Sequence, residues 1–139
     1  MKTSWIDIAE KEIGQAEVAG SRYNPRIIEY HKSTTLKAAD DEVPWCSSFV
    51  TWCLQKAGMK STESAWAKSY LNYGTKLEKP EYGCICIFAR GNGYGHVGFY
   101  VGEDETHYDI LGGNQGDKVC VRKYPKDHIL GFRWPEPVA

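Results

Sequence analysis

The sequence predicts one α+β domain over residues 1–139, in which N-terminal helices pack on an antiparallel sheet of about five strands. Two observations lead to this prediction. In the first half of the chain, apolar residues recur every three or four positions, as they do in amphipathic helices. In the second half, short segments rich in β-branched and aromatic residues alternate with turn residues. Helices followed by a run of such strands are typical of α+β domains, and the length suffices for one core.

The first two helices are predicted from their start and stop signals. Ser4 with Asp7 three positions later resembles a capping box, and Gly14 can end that helix. In the segment "NPRIIEYHK", Asn24 is predicted to be the N-cap, and Pro25 suits the first helical position. The apolar face of the first helix is predicted to consist of Trp5, Ile8, Ala9 and Ile13.

The segment "VPWCSSFVTWCLQKAG", from Val43 to Gly58, predicts a third helix that packs on one face of the sheet and ends at Gly58. A shorter helix is predicted over "ESAWAKSYLNYG", ending at Gly74. The apolar stripe of the third helix is predicted to consist of Cys46, Phe49, Val50, Cys53, Leu54 and Ala57.

Five segments of the second half predict strands. They are "CICIFAR", "HVGFYVGE", "THYDILGG", "KVCVRKYP" and "LGFRW". The segments "RGNGYG" and "GEDET" between them are typical of hairpin connections. Because consecutive strands joined in this way pair side by side, the sheet is predicted to be an antiparallel meander.

The charge balance limits the partners that we expect. Lys and Arg total 17, Asp and Glu total 18, and the net charge is −1. This balance argues against a nucleic-acid ligand, because no excess of cations is available to neutralise phosphates. No stretch approaches the ~20 apolar residues that cross a bilayer, so we expect no membrane insertion. The start "MKTSWIDIAEKEIG" has no apolar signal-peptide segment. We therefore expect synthesis in the cytoplasm without a signal peptide.

Cys46 follows Pro44 and Trp45, which places it in the first turn of the third helix. The first N–H groups of a helix have no partner within it, and the helix dipole puts partial positive charge there. Both effects favour the thiolate over the thiol, so this position predicts a nucleophilic cysteine. The alternative is a buried structural cysteine, which is a common role for this residue type.

His96 begins a predicted strand in "GYGHVGFYVGE". Strand alternation places it on one face with Gly98, which leaves room for a substrate or another backbone to approach. A cysteine at a helix start opposite an imidazole at a strand start is the arrangement that a Cys–His nucleophilic pair needs. The alternative is a structural histidine held by hydrogen bonds.

A third group is expected to orient the imidazole. Asn114 in "ILGGNQGD" ends the next strand, and its amide oxygen can accept a hydrogen bond from a ring nitrogen. The alternative for Asn114 is a turn residue, a common place for asparagine. Gln115 is the second candidate for the orienting role, and Asp109 is a weaker third candidate.

The five cysteines allow two further interpretations. Because five is an odd number, at least one thiol is unpaired within the chain. Cys84 and Cys86 point to the same strand face and, with Cys53 and Cys120, raise the question of a metal site. A C-x-C motif without a second paired motif is poor zinc spacing, so we predict no metal and no cofactor. We expect core thiols instead, with a disulfide after export as the alternative.

Four segments together resemble one family. "PWCSSFVTWCLQKAG", "GYGHVGFYVGE", "ILGGNQGD" and "GFRWP", between residues 41 and 135, are similar to the CHAP group of cysteine amidohydrolases and peptidases, and most of all to its short bacterial and phage members. The NlpC-type papain-like peptidases are the wider relatives. The resemblance implies a papain-like NlpC/CHAP fold, with Cys46 as nucleophile, His96 as base and Asn114 as orienting residue.

The resemblance also implies the reaction. CHAP proteins cleave amide bonds of peptidoglycan, at the sugar–peptide junction or within the stem peptide and cross-bridge. Beside the nucleophile, Trp45 and Tyr94 are predicted to line the substrate cleft, together with Gln115 and with Glu42 of an acidic run. Trp66 is a further candidate for the cleft lining, but core packing is the favoured interpretation for it. Papain-type enzymes carry a glutamine shortly before the cysteine, and this chain has Pro44 and Trp45 there, so the second oxyanion donor is not predicted.

The hypothesis is therefore a monomeric peptidoglycan hydrolase that acts as a phage endolysin or as a secreted antibacterial effector. A holin or a secretion system would release it to the periplasm and cell wall, and an effector would have a cognate immunity or inhibitor protein as a partner. One alternative is an acyltransferase that uses the same Cys–His pair with an amine as acceptor. The other is an inactive protein that binds the cell wall or builds a phage particle.

Overall fold

The computed structural model describes residues 4–16, 24–34, 45–64, 66–90, 94–116 and 118–137. Within these ranges, three α-helices come first: α1 at Ser4–Lys11, α2 at Pro25–Lys32 and α3 at Cys46–Lys56. A 3₁₀ helix at Ala67–Asn72 leads into the sheet. The strands are β1 at Thr75–Leu77, β2 at Ile85–Arg90, β3 at Tyr94–Glu103, β4 at His107–Gly112, β5 at Cys120–Pro125 and β6 at Ile129–Trp134.

The sheet has six strands in the order β1-β6-β2-β3-β4-β5, and the neighbouring strands pair antiparallel. The α+β class is confirmed, but the expectation of about five strands was short by one. The predicted meander holds for β2 to β5 only, because the last strand, β6, pairs with β2 and not with its chain neighbour β5. The additional strand, β1, has only three residues at the edge of the sheet, which is too short to show a periodic pattern. A 3₁₀ helix at Lys126–His128 also interrupts the run of strands between β5 and β6.

The start and stop signals in the sequence gave different results at α1, at α2 and at the segment before Gly74. At α2, Asn24 is the N-cap as predicted, since its Oδ1 accepts a hydrogen bond from the N–H of Arg26 at 2.8 Å. The first helix ends at Lys11, before Gly14, and Ile13 is exposed rather than part of the apolar face. Trp5 and Ala9 of the predicted face are buried, and Ile6 joins them as a fully buried residue. The segment before Gly74 forms the 3₁₀ helix rather than an α-helix.

The sheet has two buried faces. On the first face, α3 packs on β3 and β4, and the Phe49 and Phe99 rings lie 6.5 Å apart between centroids. The helices α1 and α2 pack in turn on α3. The second face carries a smaller apolar cluster that includes Phe88, Ile110 and Phe132. The side chains of β3 alternate between these faces, since Val97 and Phe99 belong to the first face and His96 pairs across from Phe88 of the second.

Residues 46–54 of α3 are all buried, including the polar residues Ser47, Ser48 and Thr51. Buried hydroxyls need hydrogen-bond partners, and each of these has one. The Ser48 hydroxyl bonds Nδ1 of His31 at 2.8 Å, and Thr51 bonds the hydroxyl of Tyr70 at 2.5 Å. Burial raises the pKa of Tyr70 to about 12. These contacts fix the rotation of α3, and hence the direction in which its first residue points.

Among the described residues, no helix is long and apolar enough to cross a bilayer.

Candidate active site

Cys46 is the first residue of α3, and 6% of its surface is exposed. The helix begins with the hydrogen bond from the N–H of Phe49 to the carbonyl of Trp45, at 2.9 Å. Trp45 occupies the N-cap position, and its indole has no acceptor with which to cap the first N–H groups. The start of α3 therefore presents backbone donors and the positive end of the helix dipole beside the Cys46 thiol.

His96 lies in β3 and is fully buried. Its ring stacks on Tyr124 of β5, with centroids 4.8 Å apart and an interplanar angle of 21°. Tyr124 in turn stacks on Phe88, with centroids 5.0 Å apart. His96 Nε2 lies 2.8 Å from Oε1 of Gln115, and that hydrogen bond is also buried. Stacking fixes the plane of the imidazole, and the amide fixes its rotation within that plane.

The orientation of the Gln115 amide determines the tautomer of His96. Its Nε2 donates to two backbone carbonyls, those of Ile110 at 3.1 Å and Cys120 at 2.7 Å. Because carbonyls only accept, the NH₂ group must face them, and Oε1 must face His96. An amide oxygen accepts a hydrogen bond, so Nε2 of His96 carries the proton. In the neutral ring, Nδ1 is then the basic nitrogen.

The glycines Gly112 and Gly113 lie between His96 and the start of α3. A Cβ added at Gly112 would lie 2.8 Å from Oε1 of Gln115 and 3.5 Å from Nε2 of His96. A Cβ added at Gly113 would lie 2.7 Å from the Trp45 ring and from Cβ of Phe49. Two consecutive residues thus contact the imidazole on one side and the first turn of α3 on the other. Only glycine permits this close approach without displacing its neighbours.

Cys46 and His96 approach the turn formed by Gly112 and Gly113 from different faces of the sheet. The helix that begins with Cys46 packs on the first face, whereas the imidazole projects from the second face with Phe88 and Tyr124. The pairing of the thiol with the imidazole remains a prediction. It requires the Cys46 sulfur to approach the ring at the end of β4, where Gly112 and Gly113 carry no side chains.

The structure places Gln115, the second candidate, against His96. Asn114, the first candidate for the orienting role, adopts a left-handed backbone conformation with φ 57° and is half-buried. Asparagine tolerates this conformation better than most residues, which agrees with the turn interpretation. Asp109, the third candidate, accepts a hydrogen bond from Lys123 at 2.8 Å on the exposed side of β4.

The other predicted substrate contacts are placed as follows. Trp45 is fully buried and stacks on Tyr30, with centroids 5.8 Å apart, so it packs beneath the start of α3 and presents no surface to a cleft. Tyr94 begins β3, and its side chain is not among those described. Glu42 lies outside the described residues. Trp66, for which core packing was expected, is instead 62% exposed, so that expectation was wrong.

All five cysteines are free thiols in the structure. Cys53, Cys84 and Cys86 are fully buried, Cys46 is slightly exposed, and Cys120 is half-exposed. Burial raises the pKa of Cys53 and of Cys86, while a hydrogen bond with Cys86 lowers the pKa of Cys84. Among the described residues, no group of three His, Cys, Asp or Glu side chains is arranged to hold a metal ion.

A protein-family model described as "CHAP domain" matches residues 38–114. This range contains Cys46, His96 and Asn114 and ends one residue before Gln115. A search of curated proteins found no match for the chain.

Proposed function

Since the chain belongs to the CHAP domain family, a family of peptidoglycan hydrolases and amidases, we propose that it cleaves an amide bond of peptidoglycan with Cys46 as nucleophile and His96 as base. One observation carries this proposal beyond the family match. A buried amide holds His96 in a single tautomer beside the same glycine turn that packs on the first turn of α3. The tautomer that this amide selects leaves Nδ1 as the basic nitrogen of His96, and a basic nitrogen is what a Cys–His pair at this position requires.

In the proposed reaction, the proton of the Cys46 thiol passes to Nδ1 of His96. The sulfur then attacks the amide carbonyl, and the backbone N–H of Cys46 donates to the oxyanion. The C–N bond breaks as the imidazolium returns its proton to the leaving amine. Water, deprotonated by His96, hydrolyses the thioester, which releases the carboxylic acid and restores the thiol.

Gln115 replaces Asn114 as the orienting residue in this mechanism. When Nδ1 accepts the thiol proton, the ring becomes cationic, and Oε1 of Gln115 continues to accept the Nε2 proton. The two backbone carbonyls that hold the amide prevent it from flipping. The proposal therefore needs no carboxylate at this position, because an amide oxygen supplies both orientation and partial negative charge.

We also propose the substrate bond and the biological role that the sequence predicts. The cleaved bond is the sugar–peptide amide or an amide of the stem peptide or cross-bridge. A monomeric phage endolysin, or a secreted effector with a cognate immunity protein, would meet this substrate after release by a holin or a secretion system.

The experiment that tests the proposal is digestion of purified sacculi, with muropeptides identified by mass spectrometry. Wild-type protein is expected to release new amine and carboxyl ends, and Cys46→Ala is expected to release none. Cys84→Ala is the matched control, because it removes a buried thiol just before β2 and leaves both the start of α3 and the Gln115–His96 hydrogen bond intact. The proposal is wrong if wild type leaves the muropeptides unchanged or if Cys46→Ala cleaves as well as wild type.

The same digestion separates the alternatives. With a primary amine added, an acyltransferase would attach that amine to the new carbonyl end, whereas a hydrolase would yield the free acid. An inactive binding protein would cosediment with sacculi and leave them uncut. Iodoacetamide labelling adds an independent measurement, since a nucleophilic Cys46 is expected to react faster than Cys120 although it is the more buried of the two.

A further inference from the structure

Trp66 is the most exposed large apolar side chain of the described residues, at 62%. A tryptophan of this kind removes little apolar surface from water, so it contributes little to the folding free energy. Exposed aromatic side chains with one apolar face and one N–H donor are common contacts for ligands.

Hydrogen bonds connect the backbone of Trp66 to the first turn of α3. The hydroxyl of Ser47, the residue after Cys46, donates to the carbonyl of Ser64 at 2.7 Å and lies 3.4 Å from the carbonyl of Trp66. The N–H of Trp66 donates to Oγ of Ser64 at 3.0 Å. Its carbonyl also accepts from the N–H of Ser69 at 3.0 Å, which starts the 3₁₀ helix. The exposed indole is thus carried by a backbone that is fixed next to Cys46.

Tyr82, the other exposed aromatic side chain among the described residues, is differently placed. Tyr82, at 41% exposed, precedes β2, and the N–H of the next residue, Gly83, donates to the carbonyl of Tyr100. Tyr100 lies four residues along β3 from His96, about 13 Å at the usual rise per strand residue. Exposure alone therefore does not single out Trp66. The combination of exposure with a fixed position beside Cys46 does.

We propose that Trp66 binds a sugar ring of the peptidoglycan glycan strand, next to the amide that Cys46 attacks; this inference rests on the proposed function. A pyranose ring presents a face of C–H groups that can pack on the flat indole, and its hydroxyls can accept from the indole N–H. The described charges nearest in sequence are Glu63 and Lys68, which have opposite signs. Neither sign of charge therefore predominates in the described segment that carries the indole, which favours a neutral sugar over the charged stem peptide as its ligand.

The test measures binding with the non-cleaving variant Cys46→Ser, using a soluble disaccharide-peptide and the same stem peptide without sugar. Adding Trp66→Ala is expected to weaken binding of the disaccharide-peptide about tenfold and to leave binding of the free peptide unchanged. Adding Trp66→Phe is expected to retain most of the affinity, because it keeps a flat aromatic face. Tyr82→Ala, which removes an exposed aromatic ring at the other end of β3, is the matched control and is expected to bind both ligands normally.

In the active protein, Trp66→Ala is expected to raise KM on sacculi or disaccharide-peptide with little change in kcat, since the indole binds the substrate away from the reacting atoms. Unchanged binding of the disaccharide-peptide by Trp66→Ala would overturn the inference. An equal loss for both ligands would also overturn it, because the indole would then contact the peptide. If wild type cleaves no peptidoglycan but the sugar-dependent difference persists, the proposed function fails while the sugar contact stands.

Discussion

The two ends of the β3–β4 strand pair are stabilised by different kinds of contact. At one end, which we call the site end, His96, Gly98, Gly112, Gly113 and Gln115 pack closely, and the hydrogen bonds are buried. The other end, which we call the turn end, lies at the β3–β4 connection. Its contacts are exposed, and they are made by Glu103, Asp104, Asp109, Lys123 and Lys126.

The contacts at the two ends differ in how much they contribute to the free energy of folding. At the turn end, Lys123 contacts Asp104 at 3.2 Å and Asp109 at 2.8 Å, and half or more of the lysine side chain is in water. Exposed pairs of this kind contribute little, because water and salt screen the charges. At the site end, removing one group leaves a buried partner without water to replace it, and that loss costs more than the bond itself contributes.

The two ends also differ in how closely their atoms are packed. A Cβ added at Gly98 would overlap a methyl group of Ile110, and one at Gly113 would lie 2.7 Å from Phe49. A Cβ added at Gly102, at the turn end, would meet an oxygen of the Asp109 carboxylate at 3.1 Å, and that side chain can rotate away. The site end is therefore rigid and intolerant of added atoms, which suits a site whose geometry must be held constant.

The largest effect is expected for Gln115→Leu, which keeps the approximate volume of the side chain and removes its amide. Activity on sacculi is expected to fall at least about 100-fold, because the tautomer and rotation of His96 are no longer fixed. The carbonyls of Ile110 and Cys120 lose a donor, so the free energy of unfolding is expected to fall by about 1–3 kcal/mol. Urea unfolding and initial rates measure the two effects separately.

Gln115→Glu separates orientation from folding. A carboxylate can still accept the Nε2 proton of His96 but cannot donate to the two carbonyls while it is ionised. This variant is expected to lose stability like Gln115→Leu and to retain more activity. A nearby carboxylate raises the pKa of an imidazole, so the limb of the pH–rate profile that His96 governs is expected to move to higher pH. Equal activity of Gln115→Leu and wild type would show that this amide does not orient the base.

An intermediate effect is expected for Gly113→Ala. The added methyl group must displace Phe49 or the Trp45 ring at the start of α3, and overpacking of this kind costs about 2 kcal/mol. Gly102→Ala is the matched control at the turn end and is expected to cost less than about 1 kcal/mol, because only the partly exposed carboxylate of Asp109 needs to move. Similar losses of unfolding free energy in the two variants would contradict the difference between the ends.

Local signals were sufficient to predict most of the fold. The N-cap at Asn24 and the five longer strands depend on neighbours in sequence, so pattern and propensity predict them. The edge strand β1 forms only because it pairs with β6, where Thr75 lies across from Trp134. Such pairing over a long sequence separation leaves no periodic signal in three residues. The burial of Ile6 in place of Ile13 likewise depends on where the helix α1 ends against its neighbours.

The candidate site was less predictable, because it depends on the conformation of one turn. Asn114 and Gln115 are adjacent amides, and strand alternation does not extend beyond Gly112 to decide between them. The left-handed conformation at Asn114 and the hydrogen bond of the Gln115 N–H with the carbonyl of Lys118 direct the second amide inward. The stacking of Tyr124 on His96 depends on the register of β5 against β4, which the sequence does not specify. The exposure of Trp66 also results from tertiary packing.

The smallest effect is expected at the turn end, for Asp104→Ala. Hydrogen bonds from the N–H groups of Thr106 and His107, together with Lys123, lower the pKa of Asp104. A lowered pKa in the folded state stabilises the fold at pH values above the ordinary carboxyl pKa of about 4, and this contribution disappears as the pH falls through the folded-state value. The small difference between Asp104→Ala and wild type in urea unfolding is therefore expected at pH 7, reduced in 1 M salt and absent in strong acid. The loss caused by Gln115→Leu is expected to persist in high salt, because no exposed charge contributes to it. A stability loss for Asp104→Ala that equals the loss for Gln115→Leu would show that the turn end is as important to the fold as the site end.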